Sequence, residues 1–155
     1  MNHRRPIALL LAGASLTMAA ACGDDPAPTT EAYCTQLQAL PQDDGGPIDA
    51  IFEQYGDNPT LENWADFLPG AIEEMQGFRD QFAGIAASDE LQDEKDAVLA
   101  AFDKVVDNFE AGQAAAAAGD QEEFDRLTDQ NQNDDLPAMG ASFEALGGAC
   151  GLGSE

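Results

Sequence analysis

The chain has 155 residues, with 30 acids against six lysines and arginines, a single histidine and a net charge of -24. Phosphate recognition depends on Lys and Arg, so this balance excludes nucleic acid and anionic lipid surfaces as favoured partners. It suits solubility, loosely held cations and basic proteins, and the length is enough for one domain with a real core.

In chain order, Arg4 and Arg5 precede an apolar run that opens with Ile7-Ala8-Leu9-Leu10-Leu11-Ala12 and continues, diluted by small residues, to Ala21. The run is too short and too rich in Ala, Gly, Ser and Thr for a spanning helix, and residues 1–21 read as an export signal. Two cleavages fit the end of this run. Ala19-x-Ala21 suits the ordinary secretory peptidase and a soluble secreted product. Ala19-Ala20-Ala21-Cys22 resembles the bacterial lipobox, whose cysteine accepts diacylglycerol, although Ala19 stands where that motif favours leucine. Cysteine arithmetic favours the lipobox. Three cysteines in an exported chain leave one thiol over, and lipidation of Cys22 uses it, leaving Cys34 and Cys150 as a pair. The expected address is the extracytoplasmic face of the cell membrane, reached through an acylated Cys22.

Removal of the leader also removes His3, so Arg79, Lys95, Lys104 and Arg126 remain as the cations of the mature chain. Residues 22–30 then form the modified cysteine and a polar, Pro-containing tether with a reach on the order of 25 Å. The acidic domain occupies residues 31–155.

Within that domain the apolar residues fall at helical spacing. Thr30 is a plausible N-cap for a helix bearing Tyr33, Cys34, Leu37 and Leu40, stopped by Pro41. Pro47 opens a second short helix with Ile48, Ile51, Phe52 and Tyr55, closed by Gly56. Thr60 starts a long segment with Leu61, Trp64, Leu68, Ala71, Met75, Phe78, Phe82 and Ile85 on one stripe, which Pro69-Gly70 either kinks or breaks. Ser88-Asp89-Glu90 gives the next start, a cap followed by acids that suit the helix dipole. Leu91, Val98, Phe102, Val105 and Phe109 make its stripe, and Gly119 ends it. Asp120 and Glu123 have capping-box spacing ahead of Phe124 and Leu127. A polar patch from Asp129 to Asp135 weakens that helix, and Pro137 restarts it toward Met139, Phe143 and Leu146. Nothing alternates with period two, so the expected fold is all-α, an antiparallel bundle of about four to six helices with short loops.

Cys34 and Cys150 bracket the domain. An exported chain permits their disulfide, worth roughly 5 kcal/mol by loop entropy, with two buried free thiols as the alternative. The layout resembles small helical lipoproteins of actinobacterial type. The resemblance rests on Ala32-Tyr33-Cys34-x-x-Leu37 after the leader, Ala118-Gly119-Asp120 before Phe124, and Leu146-Gly147-x-x-Cys150-Gly151 at the end. It implies the same address and fold, a structural role for the two outer cysteines, and no activity.

The chemistry available to such a chain is narrow. A mature domain without histidine has no Ser-His or Cys-His nucleophile and no His metal ligand, and no phosphate-binding glycine loop is present. Adjacent acids occur at Asp43-Asp44, Glu73-Glu74, Asp89-Glu90, Glu122-Glu123 and Asp134-Asp135. Neighbours on a helix point apart, whereas glycoside hydrolysis needs two carboxyls facing across a cleft, so no enzyme is expected. The run from Asp129 to Asp135 resembles the start of an EF-hand loop, with Asp129, Asn131, Asn133 and Asp135 as candidate oxygen ligands. Asp134 replaces the turn glycine and Gly140 the closing glutamate, so a polar loop with at most weak Ca2+ association is the expectation. Trp64, Phe67 and Phe78 are candidates to line an apolar ligand groove. Their spacing equally suits core, and Phe67, off the stripe, is the one expected at the surface. Three roles are the resulting expectations: an anchored module that binds an envelope protein or other envelope component, a small-ligand or divalent-cation binder, and a soluble secreted helical protein.

Overall fold

The structure, a computed structural model, describes residues 27–40, 54–56 and 58–152. The leader, Cys22 and most of the second short helix expected from Pro47 lie outside the described residues. Gly56 lies within them and has a φ of +79°, which its lack of a side chain permits.

Helix α1 covers Thr30–Gln38. Its N-cap is Thr29, one residue earlier than expected, with Oγ1 accepting the Ala32 N–H at 3.2 Å. Thr30 is instead the first helical residue, and its hydroxyl bonds Ser88 Oγ at 3.1 Å and Glu90 Oε2 at 2.9 Å. Helix α2, Leu61–Gly84, begins at a reciprocal cap. Thr60 Oγ1 accepts the Asn63 N–H at 3.3 Å, and Asn63 Oδ1 accepts the Thr60 N–H at 2.9 Å. The helix continues unbroken through Pro69-Gly70. Both are exposed, so the proline ring sits on the solvent side of the helix.

Helix α3, Gln92–Ala118, starts later than the Ser88 cap expected. Its N-cap is Leu91, which makes no side-chain cap bond, and Ser88 is buried against Thr30. Gly119, at φ +72°, ends α3, and the Gly119 and Asp120 N–H groups turn back to the Ala116 and Ala115 carbonyls. Asp120 then caps the last element through Glu123 N–H at 3.1 Å. The capping box is only half made, because the Glu123 carboxylate is engaged by Arg126.

The last element is one long helix, α4, in three pieces: α-helical over Gln121–Gln130, a π turn over Asn131–Asp135, and α-helical again over Leu136–Ala149. The polar patch expected to break it is this π turn. Leu136 lies nine residues beyond Leu127, which on a regular helix of about 100° per residue would place it on the opposite side. The wider turn absorbs one residue, so Leu136, Met139, Phe143 and Leu146 join Phe124 and Leu127 on the core. Four helices result among the described residues, the low end of the expected range, because the last two expected helices are continuous and most of the one from Pro47 lies outside those residues.

The helices are antiparallel. From α2 to α3, Ala83 meets Lys95, Arg79 meets Asp103 and Gln76 meets Glu110. From α3 to α4, Phe102 packs on Phe143 and Asn108 bonds Asp135. Helix α3 packs along both α2 and all three pieces of α4, and α2 also meets α4 through Phe82 on Phe143 and Trp64 on Phe124. Phe78 packs on Phe102, Phe102 on Phe143 and Phe143 on Phe82, with centroids 5.6 to 5.9 Å apart. Phe82, Val98 and Val105 are fully buried, each contributing about 1.5–3 kcal/mol.

Candidate functional site

The cysteine pair is formed. Cys34 in α1 and Cys150, just past α4, are at disulfide distance, with Cα atoms 5.5 Å apart and a sequence separation of 116. Helix α1 turns Cys34 and Tyr33 inward together. Tyr33 is wholly buried, and among the described residues no hydrogen-bond partner reaches its hydroxyl. Burial, with the nearby Asp96 carboxylate, pushes its pKa up to about 12.

The oxygen ligands expected from the sequence are not brought together. They sit on a helical turn, where the loop expected from their polarity does not exist. Asn133 turns back to bond the Asp129 carbonyl at 2.8 Å. Asp135 Oδ2 accepts from Asn108 at 3.1 Å and from Gln130 at 3.2 Å. Asn131 points inward and is 4% exposed. Among the described residues no three His, Cys, Asp or Glu side chains form a group able to hold a metal ion. Of the other paired acids, Glu73-Glu74 and Glu122-Glu123 lie on helices and Asp89-Glu90 in the turn before α3. Glu73, Glu74, Asp89 and Glu122 are exposed, Glu90 serves Thr30, and the Arg126 guanidinium holds the Glu123 carboxyl below its ordinary range. Asp43-Asp44 lies outside the described residues.

The three aromatics separate. Trp64 packs on Phe124 at 5.5 Å and lines a cavity of about 40 Å³ with Leu68, Asn108, Phe109, Asn131 and Leu136. That is room for water rather than for an organic ligand. Phe78 lines a different, wider apolar groove of about 280 Å³ with Leu37, Leu40, Phe82, Phe143 and Leu146. Phe67 lines neither of these two. It is half-buried rather than exposed, edge-on to Trp64 at 6.4 Å, because the indole shields it.

Buried polar side chains are the feature that the apolar stripes alone do not reveal. Lys95 is 7% exposed, and its Nζ donates to the Ala83 carbonyl at 2.8 Å and the Ile85 carbonyl at 2.6 Å. It thereby closes the C-terminus of α2, whose own last turn has no basic residue. Asn108 reaches Asp135, and Asn131 Oδ1 meets no donor among the described residues. The sequence carries a signal for Lys95 and Asn108: both stand in the phase of Leu91, Val98, Phe102 and Val105. No family model, curated protein or solved structure matches this chain. Among the described residues no helix is long and apolar enough to cross a membrane.

Proposed function

We propose that this chain is a lipid-anchored module at the extracytoplasmic face of a bacterial membrane, binding another envelope component rather than catalysing a reaction. The observation that supports the anchor is the pairing of Cys34 with Cys150. It accounts for two of three cysteines and leaves Cys22, behind a leader-like segment, as the one needing another fate. The short distance along the chain agrees: α1 opens at Thr30, so the tether from Cys22 is on the order of 25 Å long at most. Acids populate the exposed faces of α2, α3 and α4, and such a surface favours a partner with basic groups.

Mass spectrometry of the membrane fraction tests the anchor. The expected result is an acylated N-terminal peptide beginning at Cys22. An unmodified peptide in the medium would replace this reading with that of a soluble secreted protein. Cross-linking on intact cells tests the partner, and one defined adduct is expected. Diffuse labelling equal to that of an unrelated acidic lipoprotein would count against a binding role.

A further inference from the structure

The cavity beside Trp64 has a polar corner that the helix packing leaves unused. Phe124, Leu127 and Asn131 follow one another at steps of three and four, so Asn131 stands on the apolar stripe of α4. Its backbone is engaged on both sides. The N–H bonds the Leu127 and Thr128 carbonyls, and the carbonyl accepts the Leu136 N–H across the π turn. The side chain turns inward, 4% exposed, and Oδ1 meets no donor among the described residues. Lys95 and Asn108 are buried too, but each has partners: two carbonyls for Lys95 and Asp135 for Asn108. An unmet acceptor in a core is costly, so a leucine would be the ordinary choice at position 131.

The space that Asn131 faces defines what can meet it. Its volume, about 40 Å³, admits water and excludes an organic ligand. The described residues that line it include no carboxylate, so nothing there neutralises a metal ion or an ammonium group. A wholly apolar cavity would stay dry, whereas Asn108, Thr128 and Gln132 line this one together with Asn131. A buried water needs about two to four polar partners. Asn108 donates to Asp135 through Nδ2, which leaves its Oδ1 to accept, and the Thr128 hydroxyl can donate or accept.

We propose that this cavity is a hydration site, in which a long-lived water donates to Asn131 Oδ1 and joins it to the Asn108 and Thr128 side chains. The water ties α3 to α4 at the point where α4 widens, and the Trp64 indole of α2 lies against the same space. Asn131 is then the side chain that holds the water, and its place on the apolar stripe is accounted for. The site stands whether or not Cys22 carries a lipid.

Relaxation dispersion of water oxygen nuclei, measured on the full chain in solution, counts waters that stay bound for longer than the protein takes to tumble. Asn131→Leu removes the acceptor and fills the space with carbon, so the variant is expected to lose the amplitude of at least one such water. Equal amplitudes in the two proteins overturn the hydration site. If the variant does not fold, seen as loss of its helical circular dichroism, the unaltered chain decides the matter. Nuclear Overhauser cross-peaks from water to the Leu127 and Leu136 methyls are expected there, with the sign of a long-lived contact. Absence of those cross-peaks overturns the site whatever the variant does.

Discussion

Helices α2 and α3 are 24 and 27 residues long, meet along their lengths, and bury a continuous apolar stripe. Helix α1 has nine residues and is fixed by the Tyr33 ring and Leu37 on the core, one hydroxyl cluster and one covalent bond. The first arrangement gains from area, since every turn adds apolar contact, and it needs no chemistry to hold it. The second has less area, so a bond that the compartment must allow adds to the contacts that place it. Damage to the long pair should therefore register in global unfolding, while damage to α1 should register first in local exchange.

The largest effect is expected from Phe82→Ala. This ring is fully buried and packs on Phe143, and its loss should lower global stability by about 3–5 kcal/mol in urea unfolding. A change confined to α1 exchange would overturn the division. Lys95→Met comes next. It keeps the aliphatic stem but strips two carbonyls at the end of α2 of their donor, costing about 1–3 kcal/mol, again globally.

Tyr33→Phe should go the other way. It deletes a buried hydroxyl that has no partner among the described residues and should slow α1 exchange by an amount equivalent to about 1 kcal/mol. It also carries a pH signature. The Tyr33 pKa is raised in the fold from 10.0 to about 12, so the neutral phenol's contribution is whole below pH 10 and is lost as pH rises through about 12. The phenylalanine variant should lack that alkaline loss. Stability curves over this range that are parallel for both proteins would refute it.

Much of the fold is legible in the sequence because packing and periodicity agree over long stretches. The stripes from Leu61 to Ile85 and from Leu91 to Phe109 are the ones found at the core. Caps are harder to place. A Thr-Thr pair offers two adjacent hydroxyls, and the one that caps is decided by where Thr30 finds Ser88, a contact 58 residues away. Ser88 resembles a cap for the same local reason and is drawn off by the same contact. The segment from Asp129 to Asp135 misleads because alternating oxygen side chains describe a calcium loop and a polar helical turn equally well. What separates the two is the phase of Leu127 against Leu136, a relation that spans the segment rather than lying inside it. Lys95 carries a charge that suits the surface, yet its place on the apolar stripe marks a cation turned inward.

The π turn has a consequence for the lengths this chain can take. A helix that already carries one surplus residue can lose it. Deleting the exposed Gln132 leaves Leu127 and Leu136 eight apart, a spacing that stays on one face of an ordinary α-helix. The same deletion in α3, at Asp103 for instance, rotates everything beyond it by about 100° and unseats Val105, Val106 and Phe109. Single-residue deletions are therefore absorbed in the turn from Asn131 to Asp135, while α3 is fixed in its count.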